Sequence, residues 1–258
     1  MSQAMHERIQ QEIERVERDC DVRVIYACES GSRAWGFPSR DSDYDVRMVY
    51  HHPLEWYLSL QTRRDVIERP ITDALDISGW DIRKTLALLR KSNPNILEWS
   101  RSPILYRRAE KFAVVESLLE ISFRPQNAMR HYMSMARNTR RSFLERPEIN
   151  VKKYLYTIRP LMCARWIAER NSQPPMLYRE LMEAVLHSEP DVAGEIESLV
   201  VRKQDLSESD VISRNHVLHA WIEREFDALA AIVPDEDAYP EWSLFQDAFY
   251  KTIGFAPA

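Results

Sequence analysis

The hydrophobic pattern of this chain changes period once, near residue 80, and that change constrains the fold more than any other feature. Before it, the apolar stretches are short and β-branched. VRVIYAC (22–28) reads as a buried strand and DVRMVY (45–50) as a second. DVIERP and ITDALDIS, on either side of Pro70, read as a hairpin. A helix is expected over 4–18, where Met5, Ile9, Ile13 and Val16 form one stripe, and a short one from Pro53. From Trp80 onward the spacing is almost wholly helical, beginning with WDIRKTLALLRKS and running through VKKYLYTIRPLMCARWIAER to SRNHVLHAWIEREFDALAAI. Five glycines in 258 residues suit a helix-rich second half. The expected fold class is therefore α/β (α+β): an α/β domain over 1–123, then an all-helical domain over 124–258.

Bulk properties exclude some classes. No apolar run approaches the ~18 residues of a membrane span, and the charged first residues lack the apolar core of a signal peptide. Cys20, Cys28 and Cys163 lie far apart with no CxxC pair, which fits neither a disulfide framework nor a zinc site. A cytoplasmic protein without a membrane partner is expected; the oligomeric state is left open. The net charge of -5 is uneven. Residues 124–170 carry 11 Lys and Arg against 3 Asp and Glu, whereas residues 171–258 carry 6 against 17. The basic segment suits a polyanion partner or, equally, pairing with the acidic tail.

The chemistry is concentrated in CESGSRAWGFPSRDSDYDVRMVY (28–50). Asp43 and Asp45 share a face if the strand begins by Asp43, and like charges there need a positive neighbour. Mg²⁺ takes oxygen ligands and binds through one or two carboxylates plus substrate phosphates. Gly31-Ser32 follows a buried strand and can offer backbone N–H groups to a phosphate. Asp76, between Leu75 and Ile77, is the candidate third carboxylate of a two-metal site able to clamp attacking and leaving oxygens. Asp81 is its rival, but it sits where a helix begins and reads better as a first-turn acid.

GS, ten residues, DYD, and a later Asp on an apolar strand together resemble the DNA polymerase β-like nucleotidyltransferases. GSRAWGFPSRDSDYDVRMVY, LDISGWDIRKTLALLRKSNPNILEWSRSPILY and KKYLYTIRPLMCARWI extend the likeness over roughly residues 20–170, to the nucleotidyltransferases associated with RNA-repair pathways. The resemblance implies a small mixed sheet with helices in the first domain, and two Mg²⁺ ions, for which Mn²⁺ can substitute. It implies transfer of a nucleoside monophosphate from an NTP, ATP being favoured, to a hydroxyl acceptor such as an RNA end, with release of pyrophosphate. It matches Gly31 and Ser32 to the phosphate-binding turn, and Asp43, Asp45 and Asp76 to the metal ligands; Arg33, next in the loop, is a candidate phosphate contact, with ordinary loop solvation as the alternative.

Lys152, Lys153, Tyr156 and Arg159 stand near the start of a helix, with Lys153, Tyr156 and Arg159 three apart on one face. They suit nucleotide binding, and in related proteins a helical domain closes the nucleotide cleft with such residues. The alternative is a helix whose Leu155, Ile158, Met162 and Trp166 are core while the cations face water. Arg130, Arg137 and Arg141 form a further stripe that could track an RNA backbone. Two other functions compete: a catalytically silent nucleotide-binding or antitoxin-like module, and a ribonuclease. RNHVLH (214–219) resembles the RNase motif of HEPN domains, with Arg214 and His219 as the acting groups. Otherwise this stretch is a helix start capped by Ser213.

Overall fold

A computed structural model describes residues 3–72, 74–141, 148–205, 211–232 and 238–256. In chain order the elements are α1 (Gln3–Cys20), β1 (Arg23–Glu29), α2 (Gly31–Trp35), β2 (Tyr44–His51), α3 (Leu54–Tyr57), β3 (Val66–Glu68), β4 (Leu75–Asp81), α4 (Ile82–Arg90), α5 (Pro94–Trp99), β5 (Leu105–Arg108), α6 (Ala113–Glu116), α7 (Leu119–Ser122), α8 (Pro125–Arg141), β6 (Glu148–Asn150), α9 (Val151–Arg170), α10 (Tyr178–Val185), α11 (Pro190–Asp205), β7 (Val211–Ser213), α12 (His216–Ile232) and α13 (Trp242–Ile253). The fold is the expected mixed α/β type with a helical C-terminal part.

The chain forms two compact units: Met1–Gly31, Asp43–Phe123 and Tyr239–Ala258 make the first, Ser32–Ser42 and Arg124–Ala238 the second. The expected helical domain over 124–258 thus loses its last helix to the first unit. Phe245 and Ala248 of α13 are the reason, since both are buried in a core with Leu86 and Leu89 of α4. The acidic residues Asp235, Glu236 and Asp237, and the expected helical end at Ser142–Leu144, lie outside the described residues.

The first unit is built on a five-stranded sheet in the order β3-β4-β2-β1-β5. Only β2 and β4 run parallel; the other neighbours are antiparallel. Period-2 alternation sorts the side chains between two cores. Val46, Met48 and Tyr50 of β2 and Leu75 and Ile77 of β4 join Ile9, Ile13 and Val16 of α1 on one face. Val49 of β2, with Ile25 and Cys28 of β1, joins α4, α5 and α13 on the other. Strand β5 and the β6–β7 pair were not expected. They hold only four and three residues, too few to show a period. Strand β4 also runs through Trp80, where a helix was expected to begin, because its pairing with β2 continues to Tyr50↔Asp81.

In the second unit α8, α10, α11 and α12 pack against α9. Helix α9 is buried around most of its circumference, including Tyr154, Leu155, Ile158, Leu161, Met162 and Ile167. Asn150 caps it by accepting a hydrogen bond from the Lys152 N–H at 2.9 Å.

Candidate active site

The charged cluster lies at the N-terminal ends of the two parallel strands. Asp45 of β2 is in register with Asp76 of β4, and Arg47 with Ser78. One alternation face therefore carries Asp45, Arg47, Asp76 and Ser78, and turns apolar only further on, at Val49 and Trp80 of the helix-covered core. Asp45 and Asp76 are both half-buried, and a single guanidinium links them. The Arg47 Nη2 donates to Asp45 Oδ1 at 2.9 Å and to Asp76 Oδ2 at 2.7 Å. Asp43 lies just before β2, in the stretch leading into the strand.

The backbone of Asp45 is fixed from β1. Its N–H donates to Glu29 Oε1 at 2.8 Å, and its carbonyl accepts from the Ser30 N–H at 2.9 Å. Glu29 is fully buried, and the Tyr106 hydroxyl of β5 donates to its Oε2. Glu29 is a positioning residue that the sequence reading missed. A buried acid two residues before a Gly-Ser pair was a signal on view, but its role depends on β1 pairing with both β2 and β5.

Gly31 has φ +60°, and an added Cβ would lie 2.2 Å from Asp45 Oδ2. Glycine is thus required there twice, for the left-handed backbone and for the close approach of the carboxylate. Ser32 begins the loop of the second unit. Its hydroxyl is buried and donates to Ser42 Oγ at 3.1 Å, so the loop itself engages the group expected at a phosphate. The Arg33 Nη2 donates to the Ser42 carbonyl at 2.7 Å. Lys203 of α11 secures the same loop, donating to the Phe37 carbonyl at 3.1 Å and to Ser42 Oγ at 3.4 Å.

Asp81 lies elsewhere. It is fully buried and caps α4 by accepting from the Arg83 N–H at 2.8 Å, while the Tyr57 hydroxyl donates to its other oxygen at 2.7 Å. Burial pushes its pKa up. It falls on the opposite alternation face of β4 from Asp76, so Asp76 and not Asp81 meets Asp45.

On α9, Lys152 and Lys153 are partly exposed, and the Lys152 ammonium lies 5.7 Å from the Tyr156 ring centre. Arg159 was expected as a nucleotide contact, with water-facing cations as the alternative, and the structure places it out of water. It is buried, its guanidinium 4.3 Å from the centre of the Trp35 ring, and it donates to the Met176 carbonyl at 3.3 Å. Tyr156 meets the same ring edge-on at 5.2 Å. The cause is that α9 is enclosed on most sides, which leaves no solvent face for its third turn.

The RNHVLH stretch is a helix start. Asn215, not Ser213, supplies the cap, its side-chain oxygen accepting from the Leu218 N–H at 3.0 Å. His219 is buried with its Nδ1 2.7 Å from the Tyr154 hydroxyl, whereas Arg214 is exposed. The expected acid–base group, His219, is thus held against a core tyrosine, while the expected phosphate-stabilising group, Arg214, stands at the surface. Of the basic stripe on α8, the neighbouring Arg140 pairs with Glu223 of α12 and lies over Phe226.

Among the described residues no group of three His, Cys, Asp or Glu side chains stands ready to hold a metal ion. The Asp45–Asp76 pair nevertheless suits a hard cation. Both carboxylates already lie within hydrogen-bond reach of one positive nitrogen, and oxygen-only donors are what Mg²⁺ takes.

A mixed sheet with paired aspartates and Gly31 against Asp45 agrees with the nucleotidyltransferase-like class that the motif led to expect. A family model matches residues 5–251, and the chain belongs to that family, RlaP, the RNA repair pathway DNA polymerase beta family. The chain is 45% identical over 228 residues to Uncharacterized protein YcgL of Bacillus subtilis (strain 168), covering 87% of this chain and 86% of that one. A nucleotidyltransferase-like protein from Exiguobacterium sibiricum 255-15 aligns over 95% of this chain and 77% of its own, at 13% identity and a TM-score of 0.31, too loose a likeness to carry weight. No helix among the described residues is long and apolar enough to cross a membrane.

Proposed function

We propose that this protein transfers a nucleoside monophosphate from an NTP, ATP being favoured, to a hydroxyl acceptor with release of pyrophosphate. The observation that carries the reading is the in-register pair Asp45 and Asp76, beside a glycine that only Gly can occupy. Asp45 and Asp76 hold Mg²⁺ or Mn²⁺, with Asp43 as the further ligand. The bound metal supplies charge neutralisation at the phosphates and at the attacking and leaving oxygens. Glu29 and the Ser30 N–H fix the backbone from which the Asp45 carboxylate projects. Asp76 is the group best placed to accept the proton of an attacking hydroxyl. Lys152 and Lys153 are proposed as triphosphate contacts. The family description favours an RNA end as acceptor.

The test is incubation with each α-labelled NTP, Mg²⁺ or Mn²⁺, and pools of RNA and protein. Label is expected on an acceptor with the unaltered chain, and should be lost in Asp43→Asn, Asp45→Asn and Asp76→Asn proteins that keep their circular dichroism. Full transfer by all three variants would sink the proposal. The silent-module reading is favoured by the hold of Arg47 on both carboxylates. It predicts NTP binding with no labelled product from any acceptor.

A further inference from the structure

The place that two adjacent carboxylates would offer a metal ion is taken by Arg47. This side chain rises from the same strand face as Asp45, two residues on. Its Nη1 donates to the Asp76 carbonyl at 3.1 Å and to the Val46 carbonyl at 3.2 Å, which sets the plane of the guanidinium. That leaves Nη2 to bridge Asp45 Oδ1 and Asp76 Oδ2 at 2.9 and 2.7 Å. The Arg47 side chain is 18% exposed, so water screens these bonds less than it does on an open surface. Each carboxylate oxygen keeps a second lone pair, but a divalent cation seated between Asp45 Oδ1 and Asp76 Oδ2 would take the position of Arg47 Nη2 and meet its positive charge.

Resting on the nucleotidyltransferase reading, we propose that Arg47 is a resident counter-ion, which holds the Asp45–Asp76 pair in the metal-free protein and which a divalent cation must displace. The exchange keeps two close carboxylates from repelling each other before metal arrives. It also lowers metal affinity, because each metal bound costs the chain two charge-assisted hydrogen bonds. A lysine could not replace it, since one ammonium lacks the second nitrogen that anchors Arg47 to the strand carbonyls.

The experiment is Mn²⁺ binding to the full chain without nucleotide, followed by the loss of the free-ion electron paramagnetic resonance signal, for the unaltered protein and for Arg47→Met, Arg47→Lys and Asp45→Asn. Arg47→Met is expected to bind Mn²⁺ at least about tenfold more tightly. Arg47→Lys should fall between the two, because it keeps the charge without the fork. Weaker binding in Arg47→Met would make Arg47 a positioning residue and overturn the exchange. Arg47→Lys equal to the unaltered chain would reduce the effect to long-range repulsion and overturn it too. If Asp45→Asn binds as well as the unaltered chain, the metal-centre reading itself falls. Loss in Asp45→Asn with no gain in Arg47→Met refutes the exchange alone. Thermal melts give a second readout: Mn²⁺ should raise the Tm of Arg47→Met more than that of the unaltered chain. Should Arg47→Met fold only with Mn²⁺ present, the metal has taken the place of the guanidinium, as proposed. Should it fail to fold in both conditions, Arg47→Lys against the unaltered chain decides.

Discussion

Glu29 sits behind the candidate site with its carboxylate wholly buried, one oxygen on the Asp45 N–H and the other on the Tyr106 hydroxyl. Deleting it leaves a buried N–H without its acceptor, which costs about 1–3 kcal/mol. Glu29→Ala is therefore expected to lower the urea midpoint and to weaken Mn²⁺ binding. Glu29→Gln, which keeps an acceptor oxygen, should recover most of both. Equal effects of the two substitutions would show that the charge of Glu29, and not its hydrogen bond to Asp45, is what the site uses. Residues of this kind are hard to find in a sequence. Asp43 and Asp45 advertise themselves by lying two apart at a strand start. Glu29 and Arg47 acquire meaning only from partners 16 and 29 residues away.

At the scale of elements, the end of β2, the short helix α3 and the start of α4 are tied by a relay. The His52 N–H donates to the Tyr57 oxygen at 3.0 Å, and the Tyr57 hydroxyl donates to Asp81 at 2.7 Å. His52 also stacks on Trp56, with ring centres 3.9 Å apart and planes 5° from parallel. Burial lowers the His52 pKa from 6.5 to about 4; nearby Arg63 and Arg83 act in the same direction and Asp21 against it. Between those values the unfolded chain binds the proton more readily than the folded one. The contribution of His52 to stability is thus fully present above about pH 6.5 and is lost as the pH falls toward about 4. Asp81, with its pKa raised by burial, acts in the opposite sense. Comparison of His52→Gln with the unaltered chain isolates the histidine, and the variant should lose less stability across that window. A parallel pH profile for both proteins would refute this. The relay meets at the join of β4 and α4, where the Asp81 carboxylate both caps the helix and is held by Tyr57.

At the scale of the whole molecule, the chain returns to its first unit at the end. Helix α13 packs on α4 and α6, and Phe245 fills the core on that side of the sheet. Phe245→Ala is expected to destabilise the protein by about 3–5 kcal/mol in urea unfolding, as for other buried aromatic truncations. A change below about 1 kcal/mol, the usual range for surface substitutions, would mean that α13 is dispensable to that core.

The amino-acid sequence by itself determined the two large strands, the hairpin at Pro70, most of the helices, and the spacing of Gly31, Asp43 and Asp45. These rest on period, glycine usage and short spacings, all of which are local. Only the tertiary structure decided that Asp76 rather than Asp81 meets Asp45, because strand register and alternation select the face. It alone placed Arg47 between the two carboxylates, Glu29 behind Asp45 and Arg159 against Trp35. The physical reason is common to all of these. A side chain's charge is written in the sequence, but its partner and its access to water are set by which strands pair and which helices enclose it.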